Sequence, residues 1–404
     1  MTEEPAVFDA VEAAPGHASP VRHAPSLRSG LRVVLMQTQA EAAGAQEISR
    51  ILGRGLTARG YEVHSIFFFR RTAAFDQEPN TFFCALQRPS GVLALVRMFM
   101  ALIRHLRELR PDVVLCFQHY GTIVGTLAAH LAGAHAIVAN RTSAKSLIPP
   151  WTQAIDLALG LSGLCRKVVV NSASVEHEYG GYPRRYRDRV VRIDHGFQPK
   201  TTALTRSEAR KLLGLPIDAT LLGSVARLHP GKNLTAAISL LVGRDWHLAL
   251  AGQGSTRAEL AAFATSLGVA DRVHFVGELP PDRIGAFLRS LDVFVFPTLF
   301  ETFGLAAVEA AEAGVPVVAN DLDALRETLT VDAGPCAVFV DVGDTKAFAA
   351  AVQRLLDDRD LVAALRSRST QLSRRYSLEA MVERYAGLIE AVALRCKSQA
   401  PVKS

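Results

Sequence analysis

Paired cysteine is the first thing this 404-residue chain lacks. Its five cysteines (Cys84, Cys116, Cys165, Cys336 and Cys396) are scattered, odd in number and free of any Cys-x-x-Cys spacing. That excludes a disulfide framework and a cysteine zinc site, and it fits a reducing compartment. Long apolar runs are missing too. The most apolar stretch, residues 92–103, is interrupted by Arg97 and falls short of the roughly 18–20 residues that span a bilayer. The N-terminal segment carries Glu3, Glu4 and Asp9 and no apolar run, so it does not read as a secretory signal, and the chain is expected in the cytosol. Aromatic residues make up 7% and are not interleaved with the basic ones, which argues against a nucleic-acid reader.

What is present is an ordinary globular composition, 49% hydrophobic and 21% charged. The chain is too long for one core and suits two domains. A formal charge of +6 and a pI near 9.2 favour anionic partners such as a nucleotide or a phospholipid surface.

Residues 1–29, rich in Ala, Pro, His and Ser without periodicity, read as a disordered tail. Short apolar runs then alternate with helical patterns. Strands are expected at 31–37, 61–69, 112–117, 135–139, 167–170 and 189–193, with helices at 46–59 and 92–109 among them. After a polar connector at 198–205, a second series has strands at 220–225, 246–251, 272–276, 293–296 and 315–319. Its helices begin near Lys232, Ser255, Asp282 and Gly304, and a long final helix covers 377–394. This pattern predicts an α/β chain of two doubly wound, Rossmann-like domains, at 30–200 and 201–375, followed by a C-terminal helix and tail at 376–404. In such sheets ligands sit at the carboxyl ends of the strands.

Three loops of the second series carry candidate chemistry. Arg227 and Lys232 flank the Pro230-Gly231 turn, with Lys232 expected to open a helix; two cations there suit a diphosphate, or are a solvated pair on a surface loop. Gly252-Gln253-Gly254, with Arg257 after it, is either a close-approach loop or a tight turn. In Pro297-Thr298-Leu299-Phe300-Glu301-Thr302-Phe303-Gly304-Leu305-Ala306-Ala307-Val308-Glu309, Glu301 lies in the loop and Glu309 in the second helical turn. Glu309 among small apolar neighbours needs a partner, and the N–H groups near Gly304 and Leu305 offer an anion site.

These motifs make the chain resemble a retaining glycosyltransferase of family 4, with the GT-B fold of two Rossmann-like domains facing each other across a cleft and a C-terminal helix that returns to the N-terminal domain. The resemblance covers residues 31–394 and is most specific in the Glu301-x7-Glu309 segment and in Gly314-Val315-Pro316-Val317-Val318-Ala319. It implies that Arg227 and Lys232 bind the donor diphosphate, that Glu309 holds the ribose, and that Glu301 binds donor-sugar hydroxyls. Phe303, Gly304 and Leu305 would contact sugar and phosphate through their backbone, with Gly252, Gly254 and Arg257 completing the donor site. Val276, Gly277 and Leu279 would read the base. On the acceptor side it points to Gly44 and Arg141, to which His119, after a strand, is added as a residue that could face the cleft or be structural.

Three departures concern that side and the sugar. The glycine-rich loop reads Ala43-Gly44-Ala45-Gln46, Asn140-Arg141-Thr142 stands where many members have a His, and Asp321-Leu322-Asp323 replaces a Gly-Gly. The reaction implied is metal-independent transfer of a sugar, with retention, from a UDP- or GDP-linked donor to a glycan or lipid-linked saccharide of the cell envelope, with no cofactor besides the nucleotide sugar. The arginines of residues 92–110, with Arg184-Arg185-Tyr186-Arg187, could rest on an anionic membrane surface at the inner membrane's cytoplasmic face, or could be a solvated face. A nucleotide-sugar epimerase and a non-catalytic binding protein are the alternative readings.

Overall fold

The structure is a computed structural model and describes residues 30–41, 44–142, 145 and 148–399; the tail expected at 1–29 lies outside these. The first sheet is built from β1 (Arg32–Ala40), β2 (Glu62–Arg70), β3 (Thr81–Phe83), β4 (Val113–Phe117), β5 (Ile137–Arg141), β6 (Cys165–Val170) and β7 (Val190–Arg192). Their spatial order is β3-β2-β1-β4-β5-β6-β7, and all neighbours are parallel. The second half adds β8 (Leu221–Val225), β9 (His247–Ala251), β10 (Val273–Gly277), β11 (Val293–Phe296), β12 (Val317–Asn320), β13 (Thr330–Val331), β14 (Gly334–Pro335) and β15 (Val338–Val340). Six of these form a parallel sheet in the order β10-β9-β8-β11-β12-β15, while β13 and β14 make a small antiparallel pair.

Burial on both faces explains the unbroken apolar runs. Every residue of β4, Val-Val-Leu-Cys-Phe, is buried, because helices cover both sides of the sheet. On one face Ile48, Ile51, Leu52 and Leu56 of the helix Gly44–Thr57 meet the strands. On the other, Met98, Leu102, Ile103 and Leu106 of the helix Val92–Leu109 do so. The second sheet is sandwiched in the same way. Each sheet reverses its strand order once, between β1 and β4 and between β8 and β11. The carboxyl ends at those reversals are where crevices open in this architecture.

The last helix, Leu378–Gln399, begins at Ser377, whose Oγ accepts from the Ala380 N–H at 3.3 Å. Its apolar stripe (Met381, Val382, Tyr385, Ala386, Ile389 and Val392) is buried in the core of the N-terminal sheet, at about 1.5–3 kcal/mol for each large apolar side chain. The Tyr385 hydroxyl donates to Asn140 Oδ1 at 2.7 Å. The return of this helix to the first domain is therefore met. The chain crosses between domains twice, and the crossings touch: Phe197 bridges to Ser377, and the Phe197 N–H donates to the Tyr376 carbonyl at 3.2 Å. Among the described residues no helix is long and apolar enough to cross a membrane.

Candidate active site

The loop after β8 carries Arg227 and Lys232, and it is built by contact with its neighbours. Lys232 does not open an α-helix as expected. It ends a single 3-10 turn, Pro230–Lys232, after which Asn233 takes a left-handed φ of 48°. The α-helix beyond, Leu234–Ser239, has only six residues, so the side chains rather than a helix end give this loop its positive charge. The two glycines after β9 are explained by the same loop. A Cβ at Gly252 would overlap the carbonyl oxygen of Ala226, and one at Gly254 that of Leu228. The loops are zipped by the Leu228 N–H donating to Gln253 O at 2.9 Å and Thr256 N–H donating to Leu228 O at 3.3 Å. The glycines thus let backbone approach backbone, which fixes Arg227 from beneath. Arg257 is exposed at the first position of the helix Arg257–Ser266, 5.1 Å over the Phe275 ring of β10. Val276, Gly277 and Leu279 follow at the end of that strand, all half-buried.

Pro297–Leu305 joins β11 to the helix Leu305–Glu312 and lies against the 3-10 turn. The Leu299 N–H and Thr298 hydroxyl both donate to the Gly231 carbonyl, at 2.9 and 3.3 Å. That contact brings Lys232 Nζ onto Glu301 in an ion pair. Gly304 adopts φ 78°, and a Cβ there would strike Leu325, so the turn into the helix is closed to other residues. Phe303 is buried against His195 and Tyr376, with ring centroids 5.3 and 4.9 Å away. Leu305 packs against the cores of both domains.

Glu309 is buried beneath this turn, with Lys200 Nζ 3.5 Å from its carboxylate. Burial pushes the Glu309 carboxyl up to about 7; Lys200 pulls it down, and Glu47 and Glu312 add to the rise. A carboxylate kept in this position at such cost is suited to accepting hydroxyl protons.

The N-terminal domain closes the cleft from the opposite side. Glu41, just past β1, is buried and takes Arg227 Nη1 at 3.3 Å and Arg71 Nε at 3.3 Å. Gly44 opens the helix Gly44–Thr57, with nothing within 4 Å of where a Cβ would stand. His119 follows Gln118, a non-glycine at φ 63°, an energetically costly conformation of the sort held at ligand sites. Among the described residues neither ring nitrogen of His119, nor Thr38 Oγ1, has a hydrogen-bond partner. Burial, with the charge of Arg141 second, depresses the His119 imidazole to about 4, so it is neutral at pH 7. Gln118 Oε1 accepts from the Thr38 N–H at 3.3 Å, tying β4 to β1 at the strand reversal.

Arg141 departs from expectation. It is 3% exposed, and its guanidinium is ion-paired with Asp156, which also accepts from the Tyr186 hydroxyl at 3.0 Å. A buried guanidinium needs its countercharge, which Asp156 supplies. Arg141 Nε and Nη1 have no hydrogen-bond partner among the described residues, so Arg141 is buried at the carboxyl end of β5 rather than standing exposed in the cleft. Asp321-Leu322-Asp323, which spells a carboxylate pair, does not form one: Asp321 is held by Arg326, with Nη2 to Oδ2 at 2.7 Å, and Asp323 starts the helix Asp323–Thr328.

Residues 205–372 match the family described as "Glycosyl transferases group 1", and residues 43–201 match "Glycosyltransferase Family 4". The chain belongs to glycosyltransferase family 4. This family 4 chain is 35% identical over 200 residues to the D-inositol 3-phosphate glycosyltransferase of Acidothermus cellulolyticus, covering 44% of this chain and 42% of that one. It is 32% identical over 207 residues to the lipopolysaccharide core biosynthesis mannosyltransferase LpsB of Rhizobium meliloti, covering 48% and 58%. The matches thus span about half the length of these curated relatives. Among solved structures, Anabaena HepE in complex with UDP and glucose superposes with a TM-score of 0.75 at 18% identity, over 89% of this chain and 100% of that one. The fold is GT-B.

Two contacts in this family 4 site were not legible in the sequence. Glu41, an acid immediately after the first strand, carried a weak signal. Lys200, one cation in a polar connector, carried none. A cross-domain cluster was missed too: Asn171 Nδ2 donates to Thr302 Oγ1 at 3.0 Å and contacts His195 Nε2 at 3.0 Å. Beside it Glu327 accepts the Ala173 and Ser174 N–H groups at 2.7 and 2.9 Å.

Proposed function

We propose that this chain transfers a hexosyl group, with retention of anomeric configuration, from a UDP- or GDP-linked sugar to an acceptor hydroxyl. The observation that carries the reading is the pair of cations, Arg227 and Lys232, on the loop after β8, each held by a carboxylate from another loop, Glu41 after β1 and Glu301 after β11. In the reaction the bond between the anomeric carbon and the diphosphate oxygen breaks, and the leaving group's charge falls on these cations. Preorganised charges need little reorganisation at that moment, and removing one such contact costs about 10²–10³ in rate. Among the residues present, Glu301 binds donor-sugar hydroxyls once Lys232 turns to phosphate, Glu309 holds the ribose, and Val276, Gly277 and Leu279 present main-chain groups to the base. The acceptor hydroxyl attacks on the face the leaving group departs from, and its proton passes to the departing phosphate oxygen. Products are the glycoside and the nucleoside diphosphate. No metal is needed, since the two side chains supply the charge.

On the acceptor side Gly44 leaves room, and His119, neutral and with no hydrogen-bond partner for either ring nitrogen among the described residues, offers hydrogen bonds to a hydroxyl-rich molecule. A glycan or lipid-linked saccharide of the cell envelope fits this reading, and a relative named for lipopolysaccharide core biosynthesis supports it. The helix Val92–Leu109 supports a membrane partner. It exposes Val92 (78%), Leu93 (63%), Met100 (57%) and Val96 (51%) on one side with exposed Arg97, Arg104 and Arg107, as a helix resting on the anionic cytoplasmic face of a membrane does. The test is incubation with UDP-glucose and GDP-mannose, following release of nucleoside diphosphate and sugar. Release that disappears in Lys232→Ala supports the proposal; equal release by wild type and variant contradicts it. The anomeric configuration of any transferred sugar decides retention.

A further inference from the structure

The residue facing Glu309 comes from outside the donor loops. Lys200 lies on the connector between the two domains, three residues beyond the point where Phe197 bridges to Ser377. Its side chain is 12% exposed and that of Glu309 11%. A long cation withdrawn from water onto one carboxylate loses hydration and rotamer freedom, so the placement calls for a reason. Its backbone is fixed as well. A Cβ at Gly285 would come within 2.5 Å of the Thr201 carbonyl oxygen and 3.1 Å of that of Lys200, so the connector lies directly on the helix Pro281–Ser290, at a position that only glycine allows.

The groups around Glu309 are of both signs. Glu47, from the helix Gly44–Thr57 and ion-paired with Arg50, and Glu312, one turn beyond Glu309 on the helix Leu305–Glu312, both favour a proton on Glu309. Lys200 is the cation set against them among the described residues. A protonated carboxyl can accept only weakly and would donate, whereas two adjacent ribose hydroxyls need an acceptor for each of their protons.

We propose that Lys200 is a positioning residue for the nucleotide: from the interdomain connector it holds the Glu309 carboxylate in place and in the form that accepts the ribose hydroxyls. This rests on the reading of Glu309 as the ribose carboxylate. It makes the connector part of the donor site, so ribose binding and the relative placement of the domains share one ion pair.

The test compares wild type, Lys200→Gln and Lys200→Arg in calorimetric binding of UDP, GDP and ADP between pH 5.5 and 9. Wild type is expected to bind at least one of them, with affinity falling as pH drops and Glu309 is protonated. Loss of an opposite charge at this distance raises a carboxyl by about 1–3 pH units. In Lys200→Gln the midpoint of that fall therefore moves up by about one unit or more, giving roughly tenfold weaker binding at pH 7 that recovers by pH 9; Lys200→Arg restores the wild-type profile. A loss equal at every pH, or no loss, overturns the proposal and leaves the donor-site reading standing. Failure of wild type to bind any of the three overturns both. A ligand-free measurement covers a poorly folded variant: the ¹³C carboxyl signal of Glu309, assigned by its absence in Glu309→Gln, titrates higher in Lys200→Gln than in wild type, and an unchanged titration contradicts the proposal.

Discussion

The two sides of the cleft are built differently. On the C-terminal side the loops hold one another: Gly252 and Gly254 admit the backbone of residues 226–228, Gly231 accepts from residues 298 and 299, and Lys232 rests on Glu301. On the N-terminal side, among the described residues, His119 and Thr38 carry buried polar atoms without partners and nothing lies within 4 Å of a Cβ at Gly44. Interlocked loops make a site whose geometry exists before the ligand arrives, which suits a ligand chemistry that does not vary, a diphosphate and a ribose. Unpartnered polar groups await a ligand that completes them, and an acceptor side built that way can be retuned without disturbing the other.

The largest effect that would break this contrast is on turnover. Lys232→Ala and Glu309→Ala are each expected to lower glycosyl transfer by about 10²-fold or more while the circular dichroism spectrum stays that of the folded protein; near wild-type rates would remove the proposed division of labour. Gly252→Ala comes next. Its Cβ cannot coexist with the Ala226 carbonyl, so the Arg227 loop must shift, and a displacement of about 1 Å can cost about 10²-fold in rate; donor turnover unchanged in this variant would show that the interlocking is incidental. Arg141→Met probes the corrected residue. Leaving Asp156 buried and unpaired is expected to destabilise the fold by about 3 kcal/mol, read by urea denaturation, and the KM for acceptor stays unaltered. His119→Ala gives the opposite result, about a tenfold fall in kcat/KM for acceptor with unchanged nucleotide affinity, because a lost hydrogen bond there costs about 1–1.5 kcal/mol.

The smallest expected effect is on stability against pH. The Glu309 carboxyl is raised in the folded chain from an ordinary 4.5 to about 7. The folded state therefore binds its proton more tightly than the unfolded state, and stability from this group is present below about pH 4.5 and lost as pH rises toward 7. Glu309→Gln should raise the melting temperature at pH 8 by a few degrees and by less at pH 5, as sites kept for function often trade stability. An equal gain at both pH values would argue that burial of Glu309 is not strained.

The loops proposed to hold the donor could be placed from sequence because they lie directly after buried strands, where apolar runs end abruptly. β11 was bounded correctly at Val293–Phe296, and so was the helix Val92–Leu109. Four strands escaped: β3 and β15, each three residues long at a sheet edge, and the two-residue strands of the β13–β14 pair, all too short for any periodicity to register. The helix Pro150–Ser162 escaped because its Ala-, Leu- and Gly-rich sequence buries only Thr152, Asp156 and Gly160, so no apolar stripe marks it. The burial of Arg141 was missed because its partner Asp156 sits on that unrecognised helix. Glu41 and Lys200 stand near Arg227 and Glu309 only through tertiary contact; the place of Glu41 after the first strand was a weak signal, and spacing along the chain holds no trace of Lys200.

The most direct test of the donor site is thermal unfolding of wild type and the Arg227→Ala/Lys232→Ala double variant with UDP, GDP and ADP. The account predicts that at a hundred times its dissociation constant one nucleotide stabilises wild type by about 2.7 kcal/mol and leaves the double variant unmoved. Equal stabilisation of both proteins, or none of wild type, would contradict it.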